Sequence, residues 1–337
     1  MMNFNKILFL SVLVSSTFIS ISALSWITAW IGLEMNLLAL IPLMKTKKDK
    51  LSAEASIKYF IIQAMASSCL LFSIILFSST NFLDFKMISI PSLMMNSTLV
   101  LKMGAAPLHF WLLEVVSGLS WNLVFILLTW QKIAPMILLS YCLESQVFIS
   151  LIVIMSSLIS GLQGMNQICL RKIMALSSIN HMGWMMSSLL GSLNLWFYYF
   201  LIYTLMNMNI LFMFNKLHLF YINQLNKMMS FNKTLKFFFM LNFLSLGGLP
   251  PFIGFLPKWL TINFLINLNM MTLSVILVTF TLLALFFYTR MTFPGLTLNS
   301  SESLVKSQTK NLSLWQFFFN LLVLFSLPLG FFMSNIF

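Results

Sequence analysis

Three lysines and one glutamate stand where almost nothing else can ionise. Lys102, Lys132 and Lys258 each interrupt an apolar stretch, and Glu34 joins them within GLEMN (32–36). A charge at the centre of a bilayer costs roughly 2.5 to 3.5 kcal/mol even on lenient scales, so such residues ordinarily face a polar interior and mark ion or proton paths. A structural ion pair accounts for Glu34 with one lysine, but one carboxylate cannot neutralise three. Burial disfavours an ammonium ion and a nearby carboxylate favours it, so a buried lysine beside a movable carboxylate makes a proton switch.

His181, mid-helix in SSINHMGW, fits a proton relay, because an unperturbed imidazole titrates at about pH 6.5. It fits a hydrogen-bonded packing histidine equally well. His109 and His218 read more simply as interface and loop residues, and Glu114 and Glu144, near helix ends, as solvated carboxylates. Trp26 with Trp30, and Trp196 with Tyr198 and Tyr199, read as anchors at the membrane interface.

Other chemistries find no seat. Cys69, Cys142 and Cys169 lie far apart, without a CxxC pair or a histidine at ligand spacing, so neither a disulfide framework nor a metal or cluster site is expected. There is no GxGxxG or Walker-type loop for a nucleotide or flavin. No cofactor is expected in this chain, and any redox step must belong to partners.

The elements that position these residues follow from composition. Of 337 residues, 60% are hydrophobic and 8% charged, against about a quarter charged in ordinary globular proteins. A hydrocarbon core about 30 Å thick needs roughly 20 apolar residues per helix. Apolar runs predict about eleven spans, at 4–24, 26–44, 54–79, 86–117, 119–140, 146–164, 169–190, 194–215, 235–268, 271–294 and 313–335. The runs lack the two-residue alternation of barrel strands, so the fold class is an all-α polytopic membrane protein, a single transmembrane domain over 1–337 with no soluble domain. The fourth and ninth runs are too long for one straight span. Both carry breakers, Gly104 and Pro107 in the fourth and Gly247, Gly248, Pro250, Pro251, Gly254 and Pro257 in the ninth, which predicts two discontinuous helices. Broken helices at membrane depth accompany transport paths.

Net charge is +12, yet the basic residues sort by side rather than into a nucleic-acid patch. With the first span starting inside, Lys6, Lys45, Lys47, Lys48, Lys50, Lys58, Arg171, Lys172, Lys216, Lys227, Lys233, Lys236, Arg290, Lys306 and Lys310 share that face. The opposite loops hold only Lys86. The positive-inside rule then places the N-terminus inside and the C-terminus across the membrane. Residues 1–24 read as a first span rather than a cleaved signal, and no Arg-rich import sequence is present. Abundant Phe (35) and Met (26) beside two arginines hint at an AT-rich organellar genome.

LKMGAAPLHFW (101–111), TWQKIAP (129–135), LRKIMALSSINHMG (170–183) and LSLGGLPPFIGFLPKW (244–259) resemble the antiporter-like subunits of respiratory complex I, and with GLEMN the resemblance runs over nearly the whole chain. It implies an antiporter-like fold; bacterial members have fourteen helices and animal members of one branch lack the first three, in agreement with eleven spans. It implies that Glu34 and Lys102 form the switch, that Lys132 is the central connecting lysine, and that Lys258 faces the proton exit. Relatives often have Phe at Leu108 and Tyr at Leu176, and the long horizontal helix of the largest member is missing. The function implied is that of a proton-translocating, non-redox subunit coupling NADH:ubiquinone electron transfer to pumping across the mitochondrial inner membrane. The N-terminus would lie in the matrix and the C-terminus in the intermembrane space. Expected partners are neighbouring antiporter-like and other membrane-arm subunits, accessory subunits and lipids, with NADH, flavin, iron–sulfur clusters and ubiquinone in partner chains and no nucleic acid. A cation/proton antiporter subunit outside complex I carries similar motifs and is the alternative.

Overall fold

Helices that are apolar on every face cannot bury a single stripe in water, and this chain forms them almost throughout. The computed structural model describes residues 4–45, 49–80, 85–143, 145–224, 233–250 and 252–296. Among the described residues the regular structure is helical, apart from one isolated bridge between Cys169 and Tyr221. The expected span at 313–335 lies outside the described residues.

The chain divides into two compact units, Met1–Ile152 and Val153–Phe337. The first holds α1 (Phe4–Ile21), α2 (Trp26–Met44), α3 (Lys50–Thr80), α4 (Phe85–Met103), α5 (Phe110–Gly118), α6 (Trp121–Leu128) and α7 (Trp130–Ser140). Helix α8 (Gln146–Met165) carries the boundary. The second unit continues with α9 (Leu170–Gly191), α10 (Leu193–Leu217), α11 (Lys233–Gly247), α12 (Phe255–Asn267) and α13 (Met271–Leu296). Among the described residues, seven helices are long and apolar enough by themselves to cross a membrane, counting Trp121–Ser140 as one.

Helix α2 illustrates the packing. Ala29, Leu33, Asn36, Leu37, Leu40 and Met44 are buried at helical spacing, while Ile27, Ile31, Met35 and Leu38 stay exposed as a lipid-facing surface. It begins at a capping box, with Thr28 N donating to Ser25 Oγ. It lies close to α1, where a Cβ added at Gly32 would come within 2.8 Å of Ser20 N. Lipid is as apolar as leucine, so helix contacts of this kind rest on small residues and close packing.

The fourth and ninth runs each resolve into two helices, α4 with α5 and α11 with α12. The first halves end alike. Gly104, at φ 73°, and Gly248, at φ 80°, each follow the last helical residue in the left-handed region, where a Cβ is disfavoured. Gly104 N donates to Leu101 O and Ala105 N to Val100 O; Gly248 N donates to Ser245 O and Leu249 N to Leu244 O. Both ends are therefore Schellman caps, which satisfy two of the terminal carbonyls and turn the chain out of the helix.

One break was not expected. The run 119–140 is interrupted at Thr129, whose hydroxyl donates back to Phe125 O at 2.6 Å, and Pro135 denies the Gln131 carbonyl its usual donor. Helix α9 is also unusual, being buried on all sides from Ile173 to Leu189 although it carries four serines, Asn180 and His181 in that stretch. A polar helix wrapped by apolar ones is a lining element rather than a lipid-facing span.

Candidate functional site

All three intramembrane lysines lie inside the helical units and away from the lipid face. Relative exposure is 7% for Lys102, 1% for Lys132 and 6% for Lys258, while the Glu34 side chain retains 25%. Glu34, Lys102 and Lys132 share the first unit; Lys258 and His181 belong to the second.

In the first unit, Lys102 sits in the last turn of α4, two residues before the capping glycine, with Nζ 4.0 Å from Glu34 Oε1. Neutral donors serve the helix end: Gln63 Nε2 donates to Lys102 O at 3.2 Å, and Trp111 Nε1 adds a second donor, at 3.1 Å, to the Leu101 O already held by the cap. The ammonium group is thereby left for the carboxylate. A pair at this distance can be strengthened or released by a small side-chain movement, which a fully formed bidentate bridge would resist.

Lys102 and Lys132 line one cavity of about 20 Å³, enough for a water molecule. Its polar wall comprises both lysines, Asn36, Tyr59, Gln63 and Gln131. Gln131 Nε2 donates to Asn36 Oδ1 at 2.8 Å. These neutral amides were not singled out in the sequence; their signal, polar residues at positions facing a charged one along a helix, is weak in an Asn-rich chain.

In the second unit Lys258 lies in the first turn of α12 and reaches back across the break. Its Nζ donates to Gly247 O at 2.9 Å and to Leu246 O at 3.4 Å, the two carbonyls of α11 that the glycine cap leaves over. A cation at a helix C-terminus also complements the helix dipole. The ammonium stands 5.8 Å from the Trp184 ring on α9. One turn away on the same helix, His181 Nδ1 shares a 2.9 Å hydrogen bond with Tyr199 OH, and its ring lies 5.1 Å from that of Tyr203. Both tyrosines and His181 are buried, a setting that fits a hydrogen-bonded packing histidine and a relay group alike.

Two sequence readings are corrected and a third is extended. Tyr199 and Trp196 are not interfacial anchors: they are 0% and 3% exposed, and Tyr199 holds His181. His109 is 0% exposed, with Nδ1 3.1 Å from Pro107 O, so it packs within the first break. Glu114 is solvated but not alone, since Lys58 bridges it at 2.9 Å and Glu54 at 2.7 Å. Among the described residues no cluster of histidine, cysteine and carboxylate could hold a metal ion.

Comparison with known proteins shows the family. Residues 23–284 match the family described as NADH:quinone oxidoreductase/Mrp antiporter, transmembrane. The chain is 44% identical to NADH-ubiquinone oxidoreductase chain 2 of Locusta migratoria, covering 89% of this chain and 88% of that one. It is 48% identical to the protein of the same name from Anopheles gambiae, over 88% and 87%. Among solved structures, a chain of respiratory complex I from Thermus thermophilus superposes with a TM-score of 0.86 at 21% identity, over 98% of this chain and 79% of that one. A chain of the Mrp complex from Dietzia superposes at 0.72 and 14%, over 83% and 58%. These two likenesses concern the fold.

Proposed function

The chain belongs to the NADH:quinone oxidoreductase/Mrp antiporter transmembrane family, and on that premise we propose that it is a proton-translocating membrane subunit of respiratory complex I in the mitochondrial inner membrane. The relatives named NADH-ubiquinone oxidoreductase chain 2, aligned over nearly their whole length, support this reading over an antiporter subunit outside complex I. The observation that carries the mechanism is the Glu34–Lys102 pair beside a cavity shared with Lys132.

The pair is a bistable element biased by charge. While Glu34 stays close, Lys102 keeps its proton; when a change elsewhere in the complex draws the carboxylate away, the buried ammonium loses its counter-charge and gives the proton up toward Lys132. Lys258, in the second unit, passes a proton to the far side, and His181 is a relay group. The chain carries no electrons itself: NADH, flavin, iron–sulfur clusters and ubiquinone belong to partner subunits. Neighbouring antiporter-like subunits, accessory subunits and lipids surround it, with the N-terminus in the matrix and the C-terminus in the intermembrane space, following the basic residues.

Replacing Lys102 with Ala in the assembled complex, reconstituted in liposomes, should lower protons moved per electron while NADH oxidation continues. Undiminished pumping would remove the role assigned to it.

A further inference from the structure

The feature of the first unit that the switch does not use is its carboxamide bridge. Asn36 lies two residues after Glu34 on α2, Gln131 directly precedes Lys132 on α7, and the two side chains meet at 2.8 Å in the wall of the cavity between the lysines. Asn36 is 3% exposed. A buried amide is costly unless bonded, and an apolar contact would hold two helices together without that cost. Gln131 contributes a second polar group at the same place. Pro135, one turn on and also lining the cavity, has no N–H, so the Gln131 carbonyl lacks its intrahelical donor and remains an acceptor in a helix already broken at Thr129. The other neutral amide in the wall, Gln63, is engaged with Lys102 O.

We propose that the Asn36–Gln131 bridge positions the proton transfer from Lys102 to Lys132, by tying the helix that carries Glu34 to the helix that carries Lys132. The inference rests on the proton-translocation reading above. A shift of α2 that carries Glu34 away from Lys102 also moves Asn36, and with it the Gln131 wall of the cavity, so that release from Lys102 and access to Lys132 are coupled. The step balances around one water in the cavity: the Lys102 ammonium gives the water a proton, the water gives one of its own to the neutral Lys132 amine, and one positive charge has moved with no net change in the water. Asn36 and Gln131 take no proton; they are positioning residues.

The test uses the complete complex in liposomes, with protons per electron and NADH oxidation measured together for Asn36→Leu, Gln131→Met, the double variant, and the exchanged pair Asn36→Gln with Gln131→Asn. Each single variant should slow pumping about fivefold, the factor carried by one hydrogen bond of ordinary net strength. The double variant should be no worse than either single one, since both remove the same contact. The exchanged pair keeps both amides and the combined side-chain length, and should recover most of the pumping, which a purely packing role does not predict. Normal pumping in the single variants while Lys102→Ala fails would overturn the bridge alone. Normal pumping in all of them, Lys102→Ala included, would overturn the functional reading beneath it. Should the single variants fail to assemble, the exchanged pair decides: pumping retained supports the bridge, and assembly with pumping lost overturns it.

Discussion

The two units break a helix in the same way and then treat the open end differently. Gly104 and Gly248 close α4 and α11 with matching caps, and each leaves terminal carbonyls facing the interior. In the first unit neutral side chains, Gln63 and Trp111, take up two of the end carbonyls, and Lys102, on the helix itself, answers to Glu34. In the second unit Leu246 stands at the position that Lys102 holds before its glycine, and a lysine from beyond the break, Lys258, takes up the carbonyls directly. An ion pair at 4.0 Å can be made and released by moving one carboxylate. A lysine held by backbone carbonyls has no such handle, and it changes state when its proton leaves. Under the proposed function, the first unit is the one to be switched and the second the one to be filled and emptied.

The comparison breaks most severely at the second cap. A Cβ at Gly254 would stand 1.8 Å from Ser245 O, so Gly254→Ala should cost about 3 kcal/mol, the upper end for overpacking, and reduce the amount of assembled complex on a native gel. Next come the lysines. Lys258→Met strands two buried carbonyls and should destabilise by about 1 to 3 kcal/mol besides lowering pumping, whereas Lys102→Ala should lower pumping with a smaller fall in melting temperature. Equal destabilisation would erase the distinction between the units. Gln63→Leu leaves only Lys102 O without its donor and should cost about 1 kcal/mol, read as a modest melting shift with pumping largely kept. Smallest is Lys58→Ala: its partners Glu54 and Glu114 are about 60% exposed, and water screens such pairs, so the melting temperature should hardly move and pumping not at all.

Much of this is legible in the sequence. Ionisable residues in apolar runs identify themselves by what they would cost in lipid, and so Glu34, Lys102, Lys132 and Lys258 stood out. The ends of α4 and α11 announced themselves through glycine and proline. The break at Thr129 did not, because 119–140 has the length of one straight span and a threonine hydroxyl bending back on Phe125 leaves no trace in hydropathy. Tyr199 was misread because Trp196, Tyr198 and Tyr199 at the start of a run look like an aromatic belt; burial against α9, where it meets His181, is a tertiary fact. Neutral amides were the hardest. Asn36, Gln63 and Gln131 carry no charge to betray them, and only the geometry reveals which partner each one serves.

The account turns on Glu34 being able to change the charge state of Lys102. Glu34→Gln keeps the size and shape of the side chain while removing its charge, so the measurement is protons moved per electron by the assembled complex carrying that substitution. The account predicts a clear fall in that ratio with NADH oxidation still running. A ratio equal to that of the unmodified complex would contradict it.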